Sequence, residues 1–472
     1  MPDIDLIAID RGSVTAPAGC GKTELITQTL KSHFQPKPIL VLTHTNAGVA
    51  ALRTRLTRAG IGGRQYRLAT IDGWALKLIK MFPAISGHNP AITDVLNPSR
   101  DYPAIRHAAC NLLQSRHLWA LLQASYDRVI VDEYQDCNQV QHAMICAVAQ
   151  ELRTCVLGDP MQAIFSFAGN ILVDWNNDVE TFFPAAGELN VPWRWRNAGA
   201  EPLGQWLLFA RQELFNGRPI DLRQAPSPSV EWHPVGNGND ADVRREVARM
   251  PPPSPGAKTL VIGESTNVGG HHDCAKQTPG AVVVEAVALS HLIQFANRFD
   301  PVADNALSVL AEFAQSAITG VSATELFKRL DTLTSGRGKK PPSPAEHQAL
   351  HFQQSPSLLS AVKYLEACYA MTGTRVYRPA LLFSAIDSLR LAHQTKATLK
   401  DAAIKVREDY RSKGRPIPTR GVGSTLLLKG LEAEAVVILN GDELSKQNLY
   451  VALTRGSMRV VVCSRSPILG HQ

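Results

Sequence analysis

The sequence predicts an α/β protein in which two parallel-sheet cores carry helical insertions. Three observations predict it. Short apolar or β-branched runs alternate with helical patterns, the order that builds a parallel sheet covered on both faces. The runs are Ser13-Val14-Thr15, residues 37–43, residues 126–132 and Cys155-Val156-Leu157-Gly158. A glycine-rich turn, residues 16–23, follows the first run and precedes Leu25, Ile26, Thr29 and Leu30 at helical spacing. Downstream, residues 258–263 and 434–439 repeat the strand signal, so a second sheet is expected there.

The turn reads Ala16-Pro17-Ala18-Gly19-Cys20-Gly21-Lys22-Thr23. Strand, glycine turn and helix are the setting of a phosphate-binding loop. Gly19 and Gly21 let backbone N–H groups approach phosphate, and the helix N-terminus adds partial positive charge. Lys22 is expected at the β- and γ-phosphates and Thr23 at Mg²⁺, with Ala18, Gly19, Cys20, Gly21 and Glu24 completing the nucleotide cradle. The strict pattern has glycine where Ala16 stands. The plainer reading is a glycine turn with a solvated lysine.

Arg128-Val129-Ile130-Val131 places Asp132 at a strand end, where ligand residues collect in open parallel sheets. One carboxylate there can hold Mg²⁺, a cation that takes oxygen ligands, and its neighbour Glu133 can polarise an attacking water. An acidic strand cap is the alternative. The phosphate-loop lysine far upstream counts against it.

Composition sets few limits. Of 472 residues, 44% are hydrophobic and 19% charged, as in ordinary globular proteins. The net charge of +7 fits a polyanionic partner without requiring one. Eight cysteines are scattered with no Cys-x-x-Cys pair, which points to reduced thiols in a cytoplasmic setting. Neither a leader pattern nor an apolar run long enough to span a bilayer is present, so no membrane partner is expected. His271-His272-Asp273-Cys274 reads as a polar, Gly-rich loop rather than a metal cluster.

Residues 74–124, rich in Leu, Ala and His, read as a small helical insertion. Residues 224–240 and 251–256, rich in Pro, Ser, Gly and Asn, read as loops or linkers. Residues 285–412 read as mostly helical, with an exposed basic loop at 335–345.

Taken in order, the motifs resemble the UvrD/Rep family of superfamily-1 helicases. They are Ala16–Thr23, Thr43-His44-Thr45-Asn46 followed by Leu52, Arg53 and Arg55, residues 69–74, Asp132-Glu133-Tyr134-Gln135-Asp136, residues 158–169, Pro192-Trp193-Arg194-Trp195-Arg196-Asn197, Lys429-Gly430-Leu431-Glu432 and Tyr450-Val451-Ala452-Leu453-Thr454-Arg455. The resemblance runs from about residue 13 to 465, with no matched motif between about 200 and 420. It implies two RecA-like P-loop NTPase cores. The first core would comprise 1–73 and 126–197, with insertion 74–125. The second would comprise 198–284 and 418–472, with insertion 285–417.

The resemblance also implies roles. Lys22, Glu133, Gln162, Arg196 and Arg455 would be catalytic, with Arg194 the less favoured alternative to Arg196. Thr23 and Asp132 would hold Mg²⁺. Trp195 would pack on adenine, and Gly430 and Glu432 would reach the ribose side of ATP. Thr43, His44, Asn46, Thr70, Phe165 and Phe167 would contact DNA. Two phenylalanines at alternate positions otherwise suit one core face of a strand. Departures are Ala168, Leu426 and Asp72, each of which removes a polar link that relatives carry. No upstream glutamine motif is visible either.

The resemblance implies an ATP-dependent single-stranded DNA translocase or helicase moving 3′→5′, with ATP and Mg²⁺ as cofactors and single-stranded or partly duplex DNA as partner. The chain has short insertions, and its segments Leu42–Val49, Pro192–Trp195 and Leu426–Glu432 also resemble the stand-alone helicase-like subunits of bacterial antiphage loci of the Gabija type. That likeness implies a separately encoded nuclease partner. The alternative is therefore a nucleotide- and nucleic-acid-sensing ATPase that regulates such a nuclease with little unwinding.

Overall fold

The computed structural model describes residues 4–95, 97–165, 170–413 and 418–471. The chain divides into two compact units, Met1–Pro234 with Gly441–Gln472, and Val235–Asn440.

The first unit is built on a parallel sheet. Its strands and first helices run β1 (Arg11–Thr15), α1 (Lys22–Lys31), β2 (Ile39–Thr43), α2 (Asn46–Arg58), β3 (Tyr66–Thr70), α3 (Ile71–Met81), β4 (Arg128–Val131), β5 (Arg153–Gly158) and β6 (Ala185–Glu188). The spatial order is β3-β2-β4-β5-β1-β6, every pairing parallel. Val129, Ile130 and Val131 are wholly buried, which explains why β4 reads as an unbroken apolar run. Thr15 stands opposite Gly158, Leu42 opposite Val131, and Thr43 opposite Thr70. All these strands run the same way, so segments 16–23, 44–46, 71–74, 132–136 and 159–162 leave the sheet at one end.

Residues 71–125 are largely helical, in α3, Pro98–Gln114 and Trp119–Ser125. Trp74, Leu78, Ile105 and Leu112 share one core with Leu40, Val129 and Val156 of the sheet. Asp72 helps fix this packing. It takes Arg106 Nε and Nη2 on its two oxygens, at 2.8 and 2.6 Å, and accepts Gln141 Nε2 at 2.8 Å. Asp72→Ala strands a half-buried guanidinium, so it is expected to cost about 2 kcal/mol, read as a lower urea midpoint with an unchanged slope.

The first unit also holds the helix Glu201–Phe215 and the parallel strand pair Val230–Pro234 with Gly456–Ser464. Residues 224–240 are therefore not all loop. Val230 and Trp232 join that pair despite the flanking Pro and Gly.

The second unit carries its own parallel sheet, in the order Ala281–Val283, Arg420–Ser424, Thr259–Gly263, Ala433–Ile438. Between its second and third strands in sequence, seven helices among the described residues, from Ser290–Arg298 to Leu399–Lys413, bury one apolar core from Leu289 to Ala403. His271–Cys274 lies in a helix, Val268–Gln277, and not in a loop. Asn267 caps that helix by accepting Gly270 N–H at 2.7 Å, which offsets the two glycines of its first turn. The α/β class with two parallel sheets and helical insertions is thus the one the sequence predicts. No helix among the described residues is long and apolar enough to cross a membrane.

Candidate active site

The loop between β1 and α1 is held by its own backbone and by aromatic neighbours. Gly19 and Gly21 adopt φ of +70° and +93°, conformations that glycine reaches without strain. A Cβ at Gly19 would also lie 2.5 Å from Trp195 Cζ3, and one at Gly21 3.1 Å from Trp193 Cδ1. Ala16 keeps negative φ and buries its methyl in the core with Val14 and Cys20, so this position needs no glycine. Burial, and then Asp159, push the Cys20 thiol up to about 12, so it stays neutral.

Lys22 begins α1, and Thr23 and Glu24 follow in its first turn. Glu24 is exposed and accepts Gln28 Nε2 at 2.6 Å. Lys22 Nζ lies 2.8 Å from Asp132 Oδ1 and bonds Glu133 Oε1 as well. Burial works against the ammonium, but Asp132 and then Glu133 outweigh it and hold its pKa above the ordinary lysine value. Lys22 therefore carries full charge at neutral pH. Asp132, Glu133 and Thr23 offer oxygens alone, the donor type that Mg²⁺ takes. The residues fit a magnesium triphosphate.

Glu133 turns through left-handed backbone, φ +57° and ψ +39°. Gln135 holds its second oxygen, Nε2 donating to Oε2 at 2.6 Å, while Gln135 Oε1 accepts Asp159 N–H at 3.0 Å. Asp159 is fully buried. It accepts Met161 N–H at 3.1 Å, Gln162 Nε2 at 3.1 Å and Arg211 Nε at 3.0 Å. One chain of polar contacts thus joins Lys22, Glu133, Gln135, Asp159 and Gln162 across the ends of β1, β4 and β5.

Arg211 escapes sequence reasoning. It lies on the buried face of the helix Glu201–Phe215, one turn after Leu207. A cation on an apolar stripe was the only signal. Its side chain is 7% exposed and also reaches Glu188 at 3.1 Å.

The segment 450–456 meets the same loop. Ala18 N–H donates to Tyr450 Oη at 3.1 Å. Arg194 Nη1 donates to Thr454 O at 2.7 Å, and Trp195 Nε1 to Gly456 O at 2.9 Å. Arg455 is buried at 3% exposure, with Nε donating to Val451 O at 2.8 Å and Nη2 to Thr454 Oγ1 at 3.1 Å.

Two expectations change here. Arg196 does not face the loop. Its guanidinium pairs with Glu201 at 2.5 Å, lies over the Trp193 ring at 5.1 Å and is 42% exposed. Arg194 is the arginine at the loop, its own N–H on Gly19 O at 3.0 Å. The short helix Trp193–Asn197 explains the split, because positions two apart are about 200° apart around a helix. For the same reason Trp195 points inward. At 1% exposure it has no face left for a base. Trp193 is half-buried beside Gly21, with the Arg196 guanidinium over its ring.

Among the DNA-contact candidates, His44 and Phe165 come together, ring centroids 5.6 Å apart. Asn46 is exposed at the start of α2, after the cap Thr45. Thr43 is wholly buried, so its side chain is not available to DNA. Thr70 caps α3 by accepting Gly73 N–H at 3.0 Å. Phe167 lies outside the described residues. Gly430, at φ +83°, and the exposed Glu432 belong to the second unit, just before the strand Ala433–Ile438.

The stretch from the helix Pro98–Gln114 through Asp132, Glu133 and Gln162 carries a family match. Residues 93–173 match the UvrD/REP helicase N-terminal domain. Two curated proteins match parts of the chain. An ATP-dependent helicase/nuclease subunit from Levilactobacillus brevis is 35% identical over 101 residues, covering 19% of this chain and 8% of that protein. The protein of the same description from Leuconostoc mesenteroides is 31% identical over 67 residues, covering 14% and 5%. The chain thus matches less than a tenth of the length of these relatives. Among solved structures, the Pif1 helicase of Candida albicans aligns over 98% of this chain and 93% of its own, at 12% identity and a TM-score of 0.40. An Arterivirus nonstructural protein 10 helicase with DNA aligns over 96% and 60%, at 9% identity and a TM-score of 0.36.

Proposed function

We propose that this chain is an ATP-dependent translocase or helicase on single-stranded DNA, moving 3′→5′. The observation that carries the reading is the polar chain from Lys22 through Glu133, Gln135 and Asp159 to Gln162. It joins a phosphate cation, a base and a γ-phosphate sensor at one end of one sheet. The UvrD/REP-type segment supports it, since all of these residues except Lys22 fall within the match.

Magnesium, when bound, neutralises charge on the β- and γ-phosphate oxygens. Thr23 and Asp132 would hold it. Glu133 accepts the proton of the attacking water. Lys22 and the loop amides bind the phosphates, and Arg194 and Arg455 stabilise charge on the transferring group, a task suited to a planar, permanently charged guanidinium. Gln162 reports the state of the phosphate side to His44 and Phe165, where DNA bases stack.

Glu133→Gln separates binding from chemistry. Asp132 and Lys22 remain, so nucleotide affinity is expected to stay within a few fold while turnover falls by roughly 10²-fold or more. Isothermal titration beside phosphate release checks both numbers. Loss of nucleotide binding in this variant would remove Glu133 from the role of base.

A second reading has one observation in its favour. Thr43 is buried and the Thr70 hydroxyl is spent on its own helix, which leaves fewer polar groups for DNA. A nucleotide-sensing subunit of an antiphage system, controlling a separate nuclease, needs ATP binding and little unwinding. ATPase rate with and without single-stranded DNA, next to strand displacement, divides the readings. Stimulation with displacement supports the helicase. Stimulation with neither displacement nor movement along the strand supports the sensor.

A further inference from the structure

The net charge of +7 is confined to one stretch of sequence. Residues 25–71 contain two lysines, five arginines and no Asp or Glu, and the remaining 42 Lys and Arg are matched by 42 Asp and Glu. The five arginines are Arg53, Arg55, Arg58, Arg64 and Arg67, all exposed. They sit on α2, on the turn after it and on β3, the edge strand of the first sheet. Arg67 donates to the Gly63 and Tyr66 carbonyls, which leaves its charge unneutralised. No salt bridge involves any of the five among the described residues.

This face is continuous with the proposed DNA track. α2 starts two residues after His44, whose ring meets Phe165. From Asn46 to Arg58 the helix rises about 18 Å. Yet the basic face differs from the track in one respect. Between Ala47 and Arg67 its one aromatic residue is Tyr66, half-buried and packed against the sheet core. Single-strand sites pair a charged groove with aromatic platforms for unstacked bases. A duplex keeps its bases stacked inside and offers phosphate charge alone, which arginines neutralise with release of counterions.

We propose that α2 and the β3 edge form a docking surface for the backbone of double-stranded DNA, beside the single-strand track. The proposal rests on the function proposed above and adds where the duplex sits. Charge on an edge strand also discourages pairing with a second sheet. That purpose accounts for Arg67 but not for Arg55 and Arg58, which lie about 60° apart on one side of α2.

The test uses the full chain with Arg58→Gln and Arg64→Gln together. Both lie outside the nucleotide site and the stacking pair. Affinity is measured by fluorescence anisotropy across a salt series for two probes, a duplex with a single-stranded 3′ tail and the tail oligonucleotide alone. The slope of log affinity against log salt is expected to shrink by about 1.8 for the tailed duplex, from two lost phosphate contacts at roughly 0.9 each. It is expected not to change for the tail alone, nor is basal ATPase. An unchanged slope on the duplex means that Arg58 and Arg64 meet no phosphate, and overturns the proposal. An equal drop on both probes assigns them to the single-strand track and overturns it too. Wild-type protein that binds neither probe removes the proposed function itself, and the docking surface with it.

Discussion

A Lys22→Ala variant is expected to lose ATP hydrolysis altogether. In the proposed function Lys22 is the loop's own cation for the β- and γ-phosphates, and its ammonium is bound to both Asp132 and Glu133. Removing it does two things. The triphosphate loses that cation, and the two adjacent carboxylates lose their neutralising partner. Removing one partner of a well-buried ion pair leaves the other charge uncompensated, at a cost of about 3–5 kcal/mol. The low end applies, because Glu133 is 31% exposed and water screens it. The melting temperature should therefore fall, and Mg²⁺ alone should recover more of it in the variant than in the wild type. Phosphate release is the decisive measurement. Turnover near the wild-type rate would mean that the glycine turn is not a phosphate loop.

The second large effect separates two neighbouring arginines. Arg194→Ala is expected to cut turnover by roughly 10³-fold or more, the scale of a lost arginine finger, with nucleotide affinity nearly kept. Arg196→Ala is expected to change turnover by no more than a few fold, because its guanidinium serves Glu201 and the Trp193 face. Arg455→Ala should resemble Arg194→Ala. The double variant of Arg194 and Arg455 should be little worse than either alone, since groups that act as a unit are not additive. Single-turnover kinetics with saturating single-stranded DNA reads all four. A severe loss in Arg196→Ala with a silent Arg194→Ala would reverse the assignment drawn from the loop contacts.

The parts that were legible share a cause. Backbone requirements leave traces in residue type. The left-handed glycines Gly19 and Gly21, and carboxylates directly after a fully buried strand, cannot be replaced freely, so the loop and Asp132 could be read from order alone. Side-chain direction leaves less. Trp193-Arg194-Trp195-Arg196 alternates with a period of two, as a strand does, yet it folds as one short helix. The alternation therefore could not say which tryptophan or which arginine meets the loop. Thr43 was placed correctly at a strand end, but the interior took its hydroxyl. Arg211 had no motif to announce it. Its role depends on a helix and a strand end separated by 52 residues, and only the fold brings them within 3.0 Å. At His271–Cys274 local composition misled, because a single capping asparagine started a helix in a glycine-rich stretch.

The contacts of Tyr450, Thr454 and Gly456 with Ala18, Arg194 and Trp195 bear on how the chain is made. Strands β1–β6 leave the ribosome early, but three polar groups beside the phosphate loop have their partners in Gly441–Gln472. All of Val235–Asn440 is synthesised in between. That is roughly 200 residues, so at roughly 5–20 residues per second the first unit waits roughly 10–40 s for its last segment. During that interval the Trp195 indole N–H and the Arg194 guanidinium lack their native acceptors. The face of the helix Glu201–Phe215 that packs on Lys446–Leu453 stays open to chaperones meanwhile. The phosphate loop therefore gains its full set of native contacts only after the second unit has been made.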